Sequence, residues 1–306
     1  MCYNIKNYAG SRTMIYQIEN EYLSVQVNSY GAELWSVKSK KTGVEYLWQG
    51  NPDFWGGRAY NLFPFIGRMP EGYYTYGGEK FTTRTHGLAR YFDFHLDIQT
   101  KNTLVFSFTD NEETKKEYPF SFIFRVIFEL NGEKVTTRYE VTNTDEREML
   151  CAFGGHPGIN VPFGKGEFED YYLDFGKASE PQRQLLDAGD RFMADKTVSY
   201  PLVDGTKIPL RHELFNHDAI ILQNTTGCVS IKSTKDSRYV TMHYEDYPFI
   251  GFWQVKKPET PYVCLEPWSA LPGLEGKIVE LETKPYMTHV PANEKKEISF
   301  TLEIHE

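Results

Sequence analysis

One histidine stands in the run Ala152-Phe153-Gly154-Gly155-His156-Pro157-Gly158, near the middle of a 306-residue chain. Proline fixes its own φ and pushes the residue before it toward an extended backbone. Paired glycines permit unusual backbone angles or a close approach of the backbone to something else. Together they hold the imidazole in one direction, which we expect to be at the end of a strand. A histidine so held suits proton transfer near neutral pH. A second ionisable group, Glu266, closes the apolar run Val263-Cys264-Leu265 and precedes Pro267-Trp268. A carboxylate in that place is solvated at a strand end, buried against a partner, or aimed into a pocket. Arg68, between Gly67 and Pro70, could clamp hydroxyls or an anion; its plain alternative is a surface loop. In His86-Gly87-Leu88-Ala89-Arg90, both His86 and Arg90 could contact a ligand, although taken alone the segment reads first as holding a structural histidine. Asp218, ahead of the apolar residues 219–222, is a weaker candidate. His217 and His243 read as surface or sheet residues.

His156 and Glu266 on opposite sides of a small molecule would allow concerted proton transfers. Each adjusts the other, since a nearby carboxylate favours the imidazolium. A sugar hemiacetal needs such a pair. The base takes the proton of the C1 hydroxyl while the acid protonates the ring oxygen. The aldehyde then turns about its bond to C2 and closes as the other anomer, with no nucleophile, metal or cofactor. Three alternatives stand beside this. A glycosidase would use two carboxylates, Asp218 and Glu266, and would leave His156 without a role. A metal site on His86, His156 and a carboxylate lacks short ligand spacings such as HxH or HExxH. A sugar-binding or sensing protein would keep the pocket without turnover.

The elements that must position these groups are strands. Leu23, Val25 and Val27 alternate with polar residues, a period of two. The clearest strands are 102–109, 120–130 and 134–144, with Asn131-Gly132 a strong hairpin signal. Val135, Thr137, Tyr139 and Val141 share one face, as in an antiparallel sheet with one wet side. A short strand is expected at 44–48 and a glycine-rich hairpin at 70–79. Residues 50–58 and 163–217 read as irregular, with short helical pieces at 182–186 and 211–215. Strand patterns return at 219–222, 228–233, 239–244, 250–254, 262–265, 277–282 and 297–304. No long amphipathic helix, flexible linker or internal repeat is evident. The expected fold is all-β, a large antiparallel β-sandwich over residues 14–306. Residues 1–13 read as an N-terminal extension, loose or disordered.

Composition agrees. Aromatics make up 15 % of the chain, and such residues favour strands. A net charge of −9 argues against a nucleic-acid partner, though not against a small anion held by local arginines. No apolar run reaches about 18 residues, so no membrane span is expected, and the first residues carry no signal-peptide core. Four cysteines, none in a CxxC pair, read as free thiols in a reducing cytoplasm.

These segments, in this order, resemble the aldose 1-epimerase (galactose mutarotase-like) superfamily, closest to its LacX-like branch. GGHPGINVP and CLEPW are the specific anchors, with HGLAR and the IGR segment in support, and the likeness runs from about Ile15 to the C-terminus. It implies a large β-sandwich acting without a cofactor on a sugar, as a monomer or homodimer. By this resemblance His156 is the general acid and Glu266 the general base, while Arg68, His86 and Asp218 hold the sugar. HGLAR is also similar to the HGFAR of the hexose-6-phosphate epimerase branch, where arginines hold the phosphate, so Arg68 and Arg90 could form an anion site. The longer galactose mutarotase pattern around the arginine and first histidine is missing. After CLEPW, Ser269 to Gly273 stands where many relatives have an acidic residue.

Overall fold

The computed structural model describes residues 3–6, 12–189 and 191–306. Two large sheets dominate, one of seven strands and one of nine, with smaller sheets of four, three and two strands. The nine-stranded sheet is centred on Lys295–His305, Lys134–Asn143, Phe122–Asn131 and Thr103–Thr109. Along Lys134–Asn143, burial alternates as the period of two demands, and Val135, Thr137, Tyr139 and Val141 are the buried face. The hairpin before it turns at Gly132-Glu133, one residue later than Asn131-Gly132, because Asn131 pairs with Lys134. The seven-stranded sheet runs Met193–Ser199, Gln182–Leu186, Ile220–Gln223, Phe249–Trp253, Tyr262–Trp268, Gly154–Asn160 and Ala59–Leu62. Every one of these strands except the outermost Met193–Ser199 carries a residue that lines one cavity.

Aromatic rings fill the space between the two sheets. Phe63 stacks on Phe124 at 4.3 Å, and the Tyr139 hydroxyl donates to Asn61 Oδ1 at 2.8 Å. The glycine pair before His156 belongs to this packing. Neither Gly154 nor Gly155 has a positive φ; both lie within the strand. A Cβ on Gly155 would stand 2.6 Å from the Phe300 ring, and one on Gly154 2.8 Å from Ile66 Cδ1. Close approach, not an unusual backbone angle, is why glycine is there. In the hairpin of Tyr73–Tyr76 and Glu79–Thr82, by contrast, Gly77 and Gly78 both take positive φ, as a tight two-residue turn requires.

Several local expectations are corrected. Gln182–Leu186 is a strand, not a helical piece, because it pairs on one side with Gln223–Ile221 and on the other with Ser199–Met193. Five residues with no strong helical period yield to partners on both edges. The helical expectation at 211–215 survives as the 3-10 turn His212–Phe215. Residues 44–48 make isolated bridges to Lys38 and Ile159 in place of a strand. Only Val279–Glu280 of 277–282 is extended, before the 3-10 turn Leu281–Thr283. Within the N-terminal extension, the backbone of Tyr3–Lys6 pairs with Arg12–Glu19; the rest of that expectation lies outside the described residues. Cys151, Cys228 and Cys264 are free thiols. Among the described residues no helix is long and apolar enough to cross a membrane.

The Gly155 contact is directly testable. Gly155→Ala should destabilise the protein by about 1–3 kcal/mol through overpacking, read as a lowered Tm. An unchanged Tm would show that Phe300 can swing aside.

Candidate active site

His156 is not at a strand end. The strand Gly154–Asn160 runs through it and through Pro157, and likewise Tyr262–Trp268 runs through Glu266 and Pro267. The two strands are antiparallel neighbours, with Gly154 opposite Trp268 and Gly158 opposite Cys264. That register sets His156 opposite Glu266. The recorded pairing of these two strands skips residues 155 to 157, and Pro157 has no N–H to donate. His156 Nε2 lies 3.2 Å from Glu266 Oε2. The two side chains therefore stand side by side on one sheet, not across a ligand as the sequence suggested.

Both groups are buried, His156 7 % exposed and Glu266 1 %. Desolvation, helped by the charge of Arg90, lowers the His156 pKa to about 3. Desolvation raises the Glu266 pKa well above the ordinary carboxylate range, and Asp218 raises it further, against the Trp268 indole. Each shift favours the uncharged form. The pair therefore carries one proton between them from about pH 3 up to the raised pKa of Glu266. Among the described residues, neither His156 Nδ1 nor Glu266 Oε2, both buried, has a hydrogen-bond partner in the protein.

The pair forms part of the wall of a cavity of about 230 Å³, and Arg68, His86, Arg90 and Asp218 line it as well. The fold thus brings all six expected residues to one place, four of them from outside these two strands. His86 sits on a loop with φ of +65°. Its Nδ1 accepts the Gly67 N–H at 3.1 Å, and its own N–H donates to the Gly67 carbonyl at 2.7 Å. Nδ1 is an acceptor, so a neutral His86 carries its proton on Nε2 and can donate from there. Burial first, then His156, Arg90 and Arg68, hold its pKa well below the usual value. Arg90 lies over the Tyr60 ring at 3.6 Å. Asp218, with φ of +58°, sits two residues before the strand Ile220–Gln223. Gly251 faces Glu266 across the next strand, where a Cβ would come within 3.3 Å of Glu266 Cβ.

Sequence reasoning missed the aromatic walls and one arginine. Trp55 packs against the His156 ring at 4.9 Å and Trp253 meets it edge-on at 5.4 Å. Both line the cavity with Trp268, Tyr60 and Arg191. The signal for Trp55 was the density of glycine and aromatics in residues 50–58. Buried Glu33 ties this segment down, accepting the N–H groups of Arg58 at 2.7 Å and Ala59 at 2.9 Å. Pro272 also lines the cavity, and the residue before it is held by Lys284, whose Nζ donates to the Leu271 carbonyl at 2.6 Å. Arg191 had no local signal, because it reaches the cavity only through the pairing of the edge strand Met193–Ser199 with Gln182–Leu186.

Two antiparallel sheets around an aromatic core, with a polar cavity on the seven-stranded one, define a galactose mutarotase-like β-sandwich. The aldose 1-epimerase family profile matches residues 14–277, and the chain belongs to that family. It is 34 % identical to the plasmid-encoded protein LacX of Lactococcus lactis subsp. lactis, over 95 % of this chain and 99 % of that one. Among solved structures it is similar to a galactose mutarotase related enzyme from Lactobacillus acidophilus. That match has 35 % identity and a TM-score of 0.89, over 96 % of this chain and 98 % of that one. A galactose mutarotase-like protein from Lactobacillus casei gives 28 % identity and a TM-score of 0.90, over 95 % and 100 %.

Burial of Glu266 has a consequence for stability. Its folded pKa is raised, so the folded state holds a proton the unfolded state has released, and stability falls as pH rises through the folded pKa. Glu266→Gln removes that dependence. Its Tm should exceed that of the wild type, by a margin that widens from pH 5 to pH 9. A constant margin would show that Glu266 is ionised throughout.

Proposed function

We propose that this protein interconverts the α and β anomers of a hexose by opening and reclosing the sugar ring. The observation that carries this reading is the buried contact of His156 Nε2 with Glu266 Oε2 at 3.2 Å, two ionisable groups that line a small polar cavity. Ring opening needs one proton delivered to the ring oxygen and one removed from the C1 hydroxyl. Both oxygens are bonded to C1, so an acid and a base side by side suit them. In the charged arrangement of the pair, His156 donates from Nε2 to the ring oxygen as the C1–O bond breaks. Glu266 takes the hydroxyl proton as the C1=O bond forms. The pair is then neutral imidazole and carboxylic acid, its other arrangement. After the aldehyde turns about its bond to C2, the same two transfers run backward and close the other anomer. Protons and charge balance over the cycle.

The remaining groups hold and orient. His86 Nε2–H, Arg68, Arg90 and Asp218 supply donors and acceptors for hydroxyls, and the tryptophan faces suit the apolar face of a sugar ring. The aromatic walls exclude water, which strengthens each electrostatic contact inside. The cavity of about 230 Å³ is smaller than the roughly 300–1,000 Å³ of drug-sized sites, as befits one ring.

A second reading, a hexose 6-phosphate as substrate, is favoured by one observation. Arg68 and Arg191 are exposed, make no ion pair among the described residues, and line both this cavity and an adjoining one of about 310 Å³. Arginine forks suit phosphate.

Exchange NMR on glucose and galactose tests the first reading. Glu266→Gln and His156→Ala should each lower kcat by about 10²–10⁴-fold; a Glu266→Gln variant as fast as wild type refutes the assignment. The wild-type rate should fall on the alkaline side only as the last proton leaves the pair, well above the ordinary carboxylate range. Glucose 6-phosphate in the same assay decides the second reading. If it holds, Arg191→Ala raises KM for the phosphosugar and leaves that for glucose unchanged.

A further inference from the structure

Cys264 has no part in the proton transfers, yet it lies against the residues that make them. It precedes Glu266 by two residues on the same strand, so both side chains leave the same face of the sheet. Opposite it stands Gly158, which has no side chain to cover the thiol. One donor atom each from His156, Cys264 and Glu266 lies within 4.8 Å of the other two, and all three residues are buried. Neither His156 Nδ1 nor Glu266 Oε2 has a hydrogen-bond partner. The thiol belongs to a buried apolar cluster with Trp48 and Tyr262, with Phe54, Trp55, Trp253 and Val255 packed around them. His156 and Glu266 also line the cavity, which gives an ion its way in.

We infer that His156, Cys264 and Glu266 form a site for a soft divalent cation such as Zn²⁺, whose occupation shuts off the acid–base pair. Imidazole, thiolate and carboxylate are the donors zinc takes, and three protein ligands with an open fourth position is the usual arrangement of an accessible zinc site. Zinc–sulfur and zinc–nitrogen bonds of about 2.3 and 2.0 Å place tetrahedral ligands roughly 3.5 Å apart. The His156–Glu266 contact is already 3.2 Å. The three donor atoms lie within 4.8 Å of one another, so the thiol must close by up to about 1.3 Å to complete the set. Binding displaces the Cys264 thiol proton and the proton shared by His156 and Glu266, and both pass to solvent. Two negative ligands then balance the ion, so the dry site holds no net charge. A sugar and the ion compete for the same two side chains.

Only the inhibition rests on the mutarotase reading; binding of the ion does not. Two readouts on the whole protein keep them apart. Co²⁺ added to metal-free protein should give tetrahedral visible bands and a near-ultraviolet thiolate-to-cobalt band, absent in Cys264→Ala and Cys264→Ser. Zn²⁺ should stop anomerisation reversibly, with chelator restoring it. Both variants should keep the zinc-free rate and need more than about tenfold higher Zn²⁺, the scale on which even outer-shell partners matter. A wild-type protein with no thiolate-to-cobalt band, or variants that bind Co²⁺ as the wild type does, overturns the site. A wild type that shows the band but never anomerises glucose, galactose or glucose 6-phosphate leaves the site standing and defeats the mutarotase reading.

Discussion

One proton held between His156 and Glu266 in a dry place is the constraint on which the rest of the structure depends. An imidazole and a carboxyl group in water would ionise separately, each with its own ordinary pKa. Burial on adjacent strands pushes both toward neutrality and leaves a single proton that can rest on either. Such a pair can give and take a proton at once, but only while water stays out. Trp55, Trp253 and Trp268, which add no charge, keep the surroundings apolar.

The supports of this pair are buried polar groups used as anchors. Glu33 fixes the start of the strand Ala59–Leu62 and the segment that carries Trp55. Lys284 fixes the wall at Leu271-Pro272, and burial lowers its pKa to about 8. The Pro272 ring lies where a Cβ on Gly67 would be, and Gly67 in turn sets the proton of His86. Each anchor carries a desolvation cost of its own. Such groups are found where position matters more than stability.

How much of this was legible in the sequence follows from the range of each signal. Strands along 122–143 could be read because alternation and turn chemistry are local. GGHPG and CLEPW could be read because glycine and proline are rare inside strands and need a reason. Of the two reasons offered for the glycine pair, close approach is the one that holds: Phe300 lies against Gly155 on one face of the strand and Ile66 against Gly154 on the other, contacts that no local pattern locates. Gln182–Leu186 looked helical because its two strand partners lie about 15 and 40 residues away. Arg191 and Cys264 reach the cavity region only through strand pairing, so neither stood out. The side-by-side placement of His156 and Glu266 was hidden for the same reason, since it is set by register across 110 intervening residues.

That register also governs how such a chain can change over generations. Side chains alternate across a sheet, so one residue inserted or lost within either strand would turn His156 or Glu266 to the opposite face. Insertions and deletions in Gly154–Asn160 and Tyr262–Trp268 are therefore closed to descent, whereas single substitutions there are not. The segment at 50–58 carries no such count and can lengthen, shorten or exchange residues around a fixed centre. Divergence among descendants of this fold should then be written in loop lengths, with the two strands kept to the same count.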